Sequence, residues 1–183
     1  MARADADEPS GVVADAVDLL TRDHRLLDEL FTSFSRATPQ QLDPLARRLC
    51  KLVRIHTQIE EELFYPAARR ALGEANPIDR AEHDHADAKQ AVMRVESMTS
   101  DHAQFADTVQ ELRRLLQEHI AWEEQELFPR LRSTRADLVA LGLTLTERRD
   151  TLMDVLGLHG DDEEGAANMR EMQRSAQRNA DAR

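Results

Sequence analysis

His56-Thr57-Gln58-Ile59-Glu60-Glu61-Glu62-Leu63-Phe64-Tyr65-Pro66 returns 63 residues later as His119-Ile120-Ala121-Trp122-Glu123-Glu124-Gln125-Glu126-Leu127-Phe128-Pro129. In each copy a His and a Glu stand four residues apart, so on a helix they project from one face as neighbours within reach of a single metal ion. The echo extends upstream. His24 precedes the first phrase and His85 the second, so each half of the chain reads as His, then His-x-x-x-Glu. Two copies suggest two ions.

Around these phrases the apolar residues recur at helical spacing. Val17, Leu20, Leu27, Phe31 and Phe34 predict a first helix over Val12 to Arg36, with His24 in the stripe. Asp43 as N-cap with Pro44 in the first helical position predicts the start of a second helix, whose stripe of Leu45, Leu49 and Leu52 runs on through His56 and Glu60. Pro66 should bend or interrupt it and Gly73 should end it. Asn76-Pro77 opens a third helix with Ile78, Ala81, His85, Ala88, Val92 and Val95 on one face, while His83 falls off that stripe. A fourth begins after Ser100 and carries Phe105, Val109, Leu112, Leu116, His119, Glu123 and Leu127 in register. A fifth, Ala136 to Leu156 and closed by Gly157, offers Leu138, Leu141, Leu145, Leu152 and Val155 to cover the others.

Short connections between these helices favour an all-α, antiparallel up-down four-helix bundle with an additional C-terminal helix. The expected organisation is a flexible N-terminus over residues 1–11, the bundle over 12–132, the added helix over 133–158 and a mobile charged tail over 159–183. With 183 residues, 4% aromatic residues and only six Gly and six Pro, the chain suits one helical domain. A net charge of −11 argues against nucleic acid as a partner. No apolar run approaches the roughly 18 residues of a membrane span, and no secretory signal opens the chain, so a cytoplasmic location is expected.

A single cysteine, Cys50, excludes an internal disulfide and a Cys-rich metal site. Any metal must therefore accept nitrogen and oxygen ligands, which suits iron, manganese or zinc. A lone buried His is most simply a neutral side chain bonded to a backbone carbonyl. Four in duplicated register are not, and two carboxylates in apolar stripes would each cost several kcal/mol without a compensating charge. The stripes hold no Lys or Arg at those levels. Glu61 and Glu124 read either as a solvated helix face or as groups orienting a His. Tyr65 reads as core packing with a hydroxyl able to donate inward. His83, His102 and His159 read as surface or helix-end residues, and Cys50 as a small core residue.

Taken together, the Asp23-His24 pair, both His-x-x-x-Glu-Glu phrases ending in aromatic-Pro, and Asp84-His85-Ala86-Asp87-Ala88-Lys89 resemble the hemerythrin-like, HHE cation-binding domain over about residues 15 to 157. The resemblance implies a non-haem di-iron centre inside the bundle, two irons bridged by both carboxylates and by an oxo or hydroxo group. Carried over by position, the ligands would be His24, His56, Glu60, His85, His119 and Glu123. Oxygen-carrying members place a further His where this chain has Lys89, which implies an iron with fewer imidazoles and a place for water or a small molecule. The implied functions are binding or reaction with dioxygen, hydrogen peroxide or nitric oxide, including a catalase-like reaction with an unidentified redox partner, or non-enzymatic iron, oxygen or redox sensing. For acid-base work the candidates are Glu61, Glu124 and Tyr65.

Overall fold

The computed structural model describes residues 15–158. The expectations for the first residues and for the tail from His159 onward lie outside that range.

Helix α1 spans Ala16–Phe34. It starts later than Val12 because Asp15 caps it: its carboxylate accepts from the Asp18 N–H at 2.9 Å while the Asp18 side chain accepts from the Asp15 N–H, a reciprocal capping box. Helix α2, Pro39–Ile59, begins before the expected Asp43-Pro44 start. Thr38 caps it together with Gln41, and Pro44 lies inside the helix. The Asp43 carboxylate serves another purpose. It accepts from the backbone N–H and the hydroxyl of Ser100, at 2.8 and 3.0 Å, and so pins the distant connection between the later helices.

Beyond Ile59 the backbone widens into a π-helical turn, Glu60–Phe64, and continues as α3, Tyr65–Leu72. The sequence expectation of a bend at Pro66 is resolved this way. Proline has no N–H and its ring crowds the carbonyl four residues back; a wider turn just before it relieves both problems. Gly73 then ends the helix with φ of 67°, in the left-handed region that suits glycine. After α4, Asn76–Glu96, the second half repeats the plan: α5, Phe105–Trp122, a π-helical turn, Glu123–Leu127, and α6, Phe128–Arg132.

Helix α7, Leu138–Val155, starts at Asp137, whose side chain accepts from the Ala140 N–H at 2.9 Å. It packs across α1, α2 and the first π turn. Two ion pairs fasten it there: Arg149 to Asp23 at 3.0 Å and Arg148 to Glu62 at 2.7 Å. Lys51 donates to the Leu156 carbonyl at 2.7 Å and closes its C-terminal end. No helix among the described residues is long and apolar enough to cross a membrane.

Apart from Thr57 and Thr108, the buried polar and charged residues of the described core gather at one level. Leu20, Leu27, Leu49, Ile55, Ile59, Ile78, Leu112, Leu116 and Leu127 are buried, and among them lie His24, His56, Glu60, His85, His119 and Glu123, each at most 2% exposed. Cys50 is fully buried, and burial pushes its thiol up to about 12.

Candidate metal centre

Because His24 and His85 replace apolar residues in the stripes of α1 and α4, and the two His-Glu pairs do the same at the ends of α2 and α5, burying the stripes brings all six side chains to one point. The contacts cross between the halves of the chain. Glu60 Oε2 lies 3.1 Å from His56 Nε2, one turn before it, and 3.3 Å from His85 Nε2 on α4. Glu123 Oε2 lies 3.4 Å from His119 Nε2 and 3.4 Å from His24 Nε2 on α1. His85 Nε2 and His119 Nε2 approach to 3.0 Å.

Two groups of atoms result. His24, His56, Glu60 and Glu123 each offer a ligand atom within 4.8 Å of the others, and so do Glu60, His85 and His119. The grouping departs from a division by sequence half, since Glu60 belongs to both. Nitrogen and oxygen ligands bound to one cation at about 2.1 Å stand about 3 Å apart when at right angles, which is the spacing found here. His24 Nε2, both nitrogens of His56, both oxygens of Glu60, Glu123 Oε2 and His119 Nδ1 are buried without a hydrogen-bond partner. No Lys or Arg among the described residues pairs with Glu60 or Glu123. Buried acceptors facing acceptors are costly unless a cation lies among them, so these residues fit a metal.

Protonation follows the same crowding. Burial, then the Glu123 charge, pushes Glu60 well above the usual carboxylate range. Burial pushes Glu123 up as well, but the positive charges of His119 and His24 outweigh it and hold Glu123 at about 2. Burial opposes charging of His24, yet the Glu123 and Glu124 carboxylates beside it raise it to about 9. His56, buried and facing other imidazoles, is held well below its ordinary value. Without a cation the cluster keeps protons in its place, and binding a cation would release them.

The next shell was only half legible in sequence. Glu61 and Glu124 are not free surface carboxylates. Glu61 Oε1 lies 3.0 Å from His85 Nδ1, and Glu124 Oε1 lies 2.9 Å from His24 Nδ1, so each fixes the outward nitrogen of an imidazole whose other nitrogen points inward. Each is held in turn by a cation, Glu61 by Lys89 at 2.5 Å and Glu124 by Arg25 at 2.7 Å. Lys89 therefore meets an acidic partner and turns away from the cluster.

Tyr65 reaches inside. Its hydroxyl lies 3.0 Å from Glu123 Oε1, 3.0 Å from His85 Nε2 and 3.5 Å from His119 Nε2. Five residues beyond Glu60, a side chain on a plain α-helix would point about 140° away; the π turn brings it back towards the same side. Burial, then Glu123, pushes the Tyr65 hydroxyl well above its ordinary value, so it keeps its proton. In the second half Phe128 takes this place and stacks on His24, with rings 5.8 Å apart and nearly parallel. His83 is exposed near Asp87, and His102 accepts from the Gln104 N–H at 3.2 Å, both away from the cluster.

Fold and cluster together define a helical bundle with a candidate cation centre in its core. The chain belongs to the hemerythrin HHE cation binding domain family, whose model matches residues 15–131, that is, α1 to α6 without α7. A solved hemerythrin HHE cation binding domain-containing protein from Mycobacterium kansasii superposes with a TM-score of 0.69 over 86% of this chain and 98% of that one, at 23% identity. A curated relative named DNA nickase, from Nostoc, is 25% identical over 117 residues, 63% of this chain; the chain spans about a third of that relative, the match covering 33% of it.

Proposed function

We propose that this chain is a non-haem di-iron protein that binds or reacts with a small oxidant such as hydrogen peroxide, dioxygen or nitric oxide. His24, His56, Glu60, His85, His119 and Glu123 would hold the two irons, with both carboxylates shared between them. The observation that carries this reading is the buried, uncompensated convergence of these six groups, with family membership favouring iron among the metals that their nitrogen and oxygen donors suit.

Iron would supply Lewis acidity and an electron reservoir when bound. The chain's own residues supply the rest. Glu61 and Glu124 fix the orientation and tautomer of His85 and His24. The Tyr65 hydroxyl keeps a proton 3.0 Å from Glu123 Oε1, where a developing anion in the site would need one. Phe64, Leu127 and Phe128, all buried, exclude bulk water. Lys89 leaves the His85 side one imidazole short of an oxygen carrier, which favours exchange and turnover over reversible storage. The net charge of −11 supports a small-molecule partner over nucleic acid.

The test is oxygen evolution from hydrogen peroxide, followed with an electrode on iron-loaded protein. Peroxide-dependent oxygen release at a rate above that of free iron is expected. Iron-loaded protein that evolves no oxygen would replace this reading by the non-enzymatic one, an iron, oxygen or redox sensor.

A further inference from the structure

The repeated phrases relate the two halves of the bundle, and the halves differ at one surface cavity. In the first half Arg69, on α3, reaches over α4 to Asp79 at 2.9 Å and to Glu82 at 3.4 Å. The residues related to these by the repeat are Arg132 on α6 and Asp18 and Thr21 on α1. Arg132 repeats the first contact, to Asp18 at 2.7 Å, but Thr21 is short and uncharged where the related position holds Glu82. A cavity of about 350 Å³ lies at that point, lined by Val17, Thr21, Glu124, Phe128, Pro129 and Arg132. The larger cavity of about 400 Å³, beside Arg70 and Arg135, touches no member of the cluster.

Two walls of the smaller cavity touch His24: Glu124 bonds its Nδ1, and the Phe128 ring lies flat against its imidazole. One layer of side chains therefore separates the cavity from the buried cluster. The halves also differ in how that layer is held. Tyr65 is tied down by its hydroxyl bond to Glu123, whereas Phe128 has no polar anchor and is held by packing alone, with the Phe64 ring edge-on at 5.6 Å. A ring held by packing alone can turn aside without loss of a hydrogen bond, whereas the buried bond of Tyr65 must first be broken.

We infer that small molecules reach the cluster through this cavity between α1 and α6, with Thr21 setting its width and Phe128 acting as the inner gate. The inference rests on the proposed iron centre, and its test separates the two. Azide is mixed with iron-loaded, full-length protein and its association and dissociation rates are followed by absorbance. A passage controls both rates alike and leaves equilibrium affinity unchanged, whereas altered ligation changes affinity.

Thr21→Leu fills the cavity without adding charge, and Thr21→Glu recreates the Arg69–Glu82 arrangement opposite Arg132. Both should slow association and dissociation together by about threefold or more, with the dissociation constant within about twofold of native. Phe128→Ala should accelerate both. Native rates in the two Thr21 variants, or a change confined to the dissociation constant, would overturn the inference. If metal analysis of the same samples finds no iron, the proposed centre itself is refuted.

Discussion

The Tyr65 hydroxyl and Glu123 Oε1 meet at 3.0 Å, joining the aromatic end of the first repeated phrase to the carboxylate of the second. Both groups are buried, and no other position repeats this contact, because Phe128 stands where the second Tyr would be.

Tyr65→Phe should therefore make the halves alike at the cost of a hydrogen bond to a charged group. In metal-free protein the expected loss is about 1.5–3 kcal/mol. Urea unfolding of native and variant protein measures it; a difference below about 0.5 kcal/mol would contradict a stabilising role for the hydroxyl.

Replacing Glu60 by Gln should have opposite effects with and without metal. Metal-free, burial and the Glu123 charge force Glu60 into its protonated form, a cost at neutral pH that Gln does not carry, so the substitution should raise the unfolding free energy. Loaded with iron, the variant should be less stable than native, because it loses a ligand and ligand-linked stability with it. Thermal unfolding of both forms checks the crossover, and a metal-free variant less stable than native would contradict it.

Arg149 and Asp23 form the more buried of the two ion pairs that fasten α7, with side chains 19% and 12% exposed. Arg149→Ala leaves the Asp23 carboxylate without that partner and should cost about 3 kcal/mol. Replacing both, with Arg149→Met and Asp23→Leu, should recover most of the loss. Denaturant unfolding of the single and double variants is the check, and equal losses in both would mean that Asp23 matters for something other than the pair.

Cys50 should resist thiol reagents in the folded chain, because it is fully buried and its thiol is pushed up to about 12. Labelling at neutral pH should follow global unfolding, so its rate should rise with denaturant in step with the unfolded fraction. Fast labelling of native protein would mean that α2 opens locally.

The helix stripes and the six converging side chains were legible in sequence because they depend on local spacing: a His or Glu at a core register position has nowhere else to point. What the spacing could not show depends on partners far along the chain. Asp43-Pro44 looked like a helix start, yet Thr38 and Gln41 formed the cap and the Asp43 carboxylate went to Ser100. Glu61 and Glu124 lie one position off the buried stripe, and only the packing of α4 and α1 brings His85 and His24 to them. Tyr65 seemed mainly a packing residue because helical periodicity assumes a plain α-helix; Pro66 and Pro129, at the same place in each phrase, were the available sign of the π turns that change its direction. Helix α7 was expected as a cover, but helical spacing does not show that Asp23 and Glu62 receive its arginines.

Under the proposed function, six buried side chains would hold two irons with Glu60 and Glu123 shared between them. The most direct measurement is iron per chain, by elemental analysis and absorption spectrum, for native protein and for Glu60→Ala, Glu123→Ala and Glu61→Ala. The native chain and Glu61→Ala should each hold about two irons, one for each group of converging atoms, and both shared-carboxylate variants should lose most of theirs. Two irons retained in Glu60→Ala and Glu123→Ala, or none in the native chain, would contradict the account.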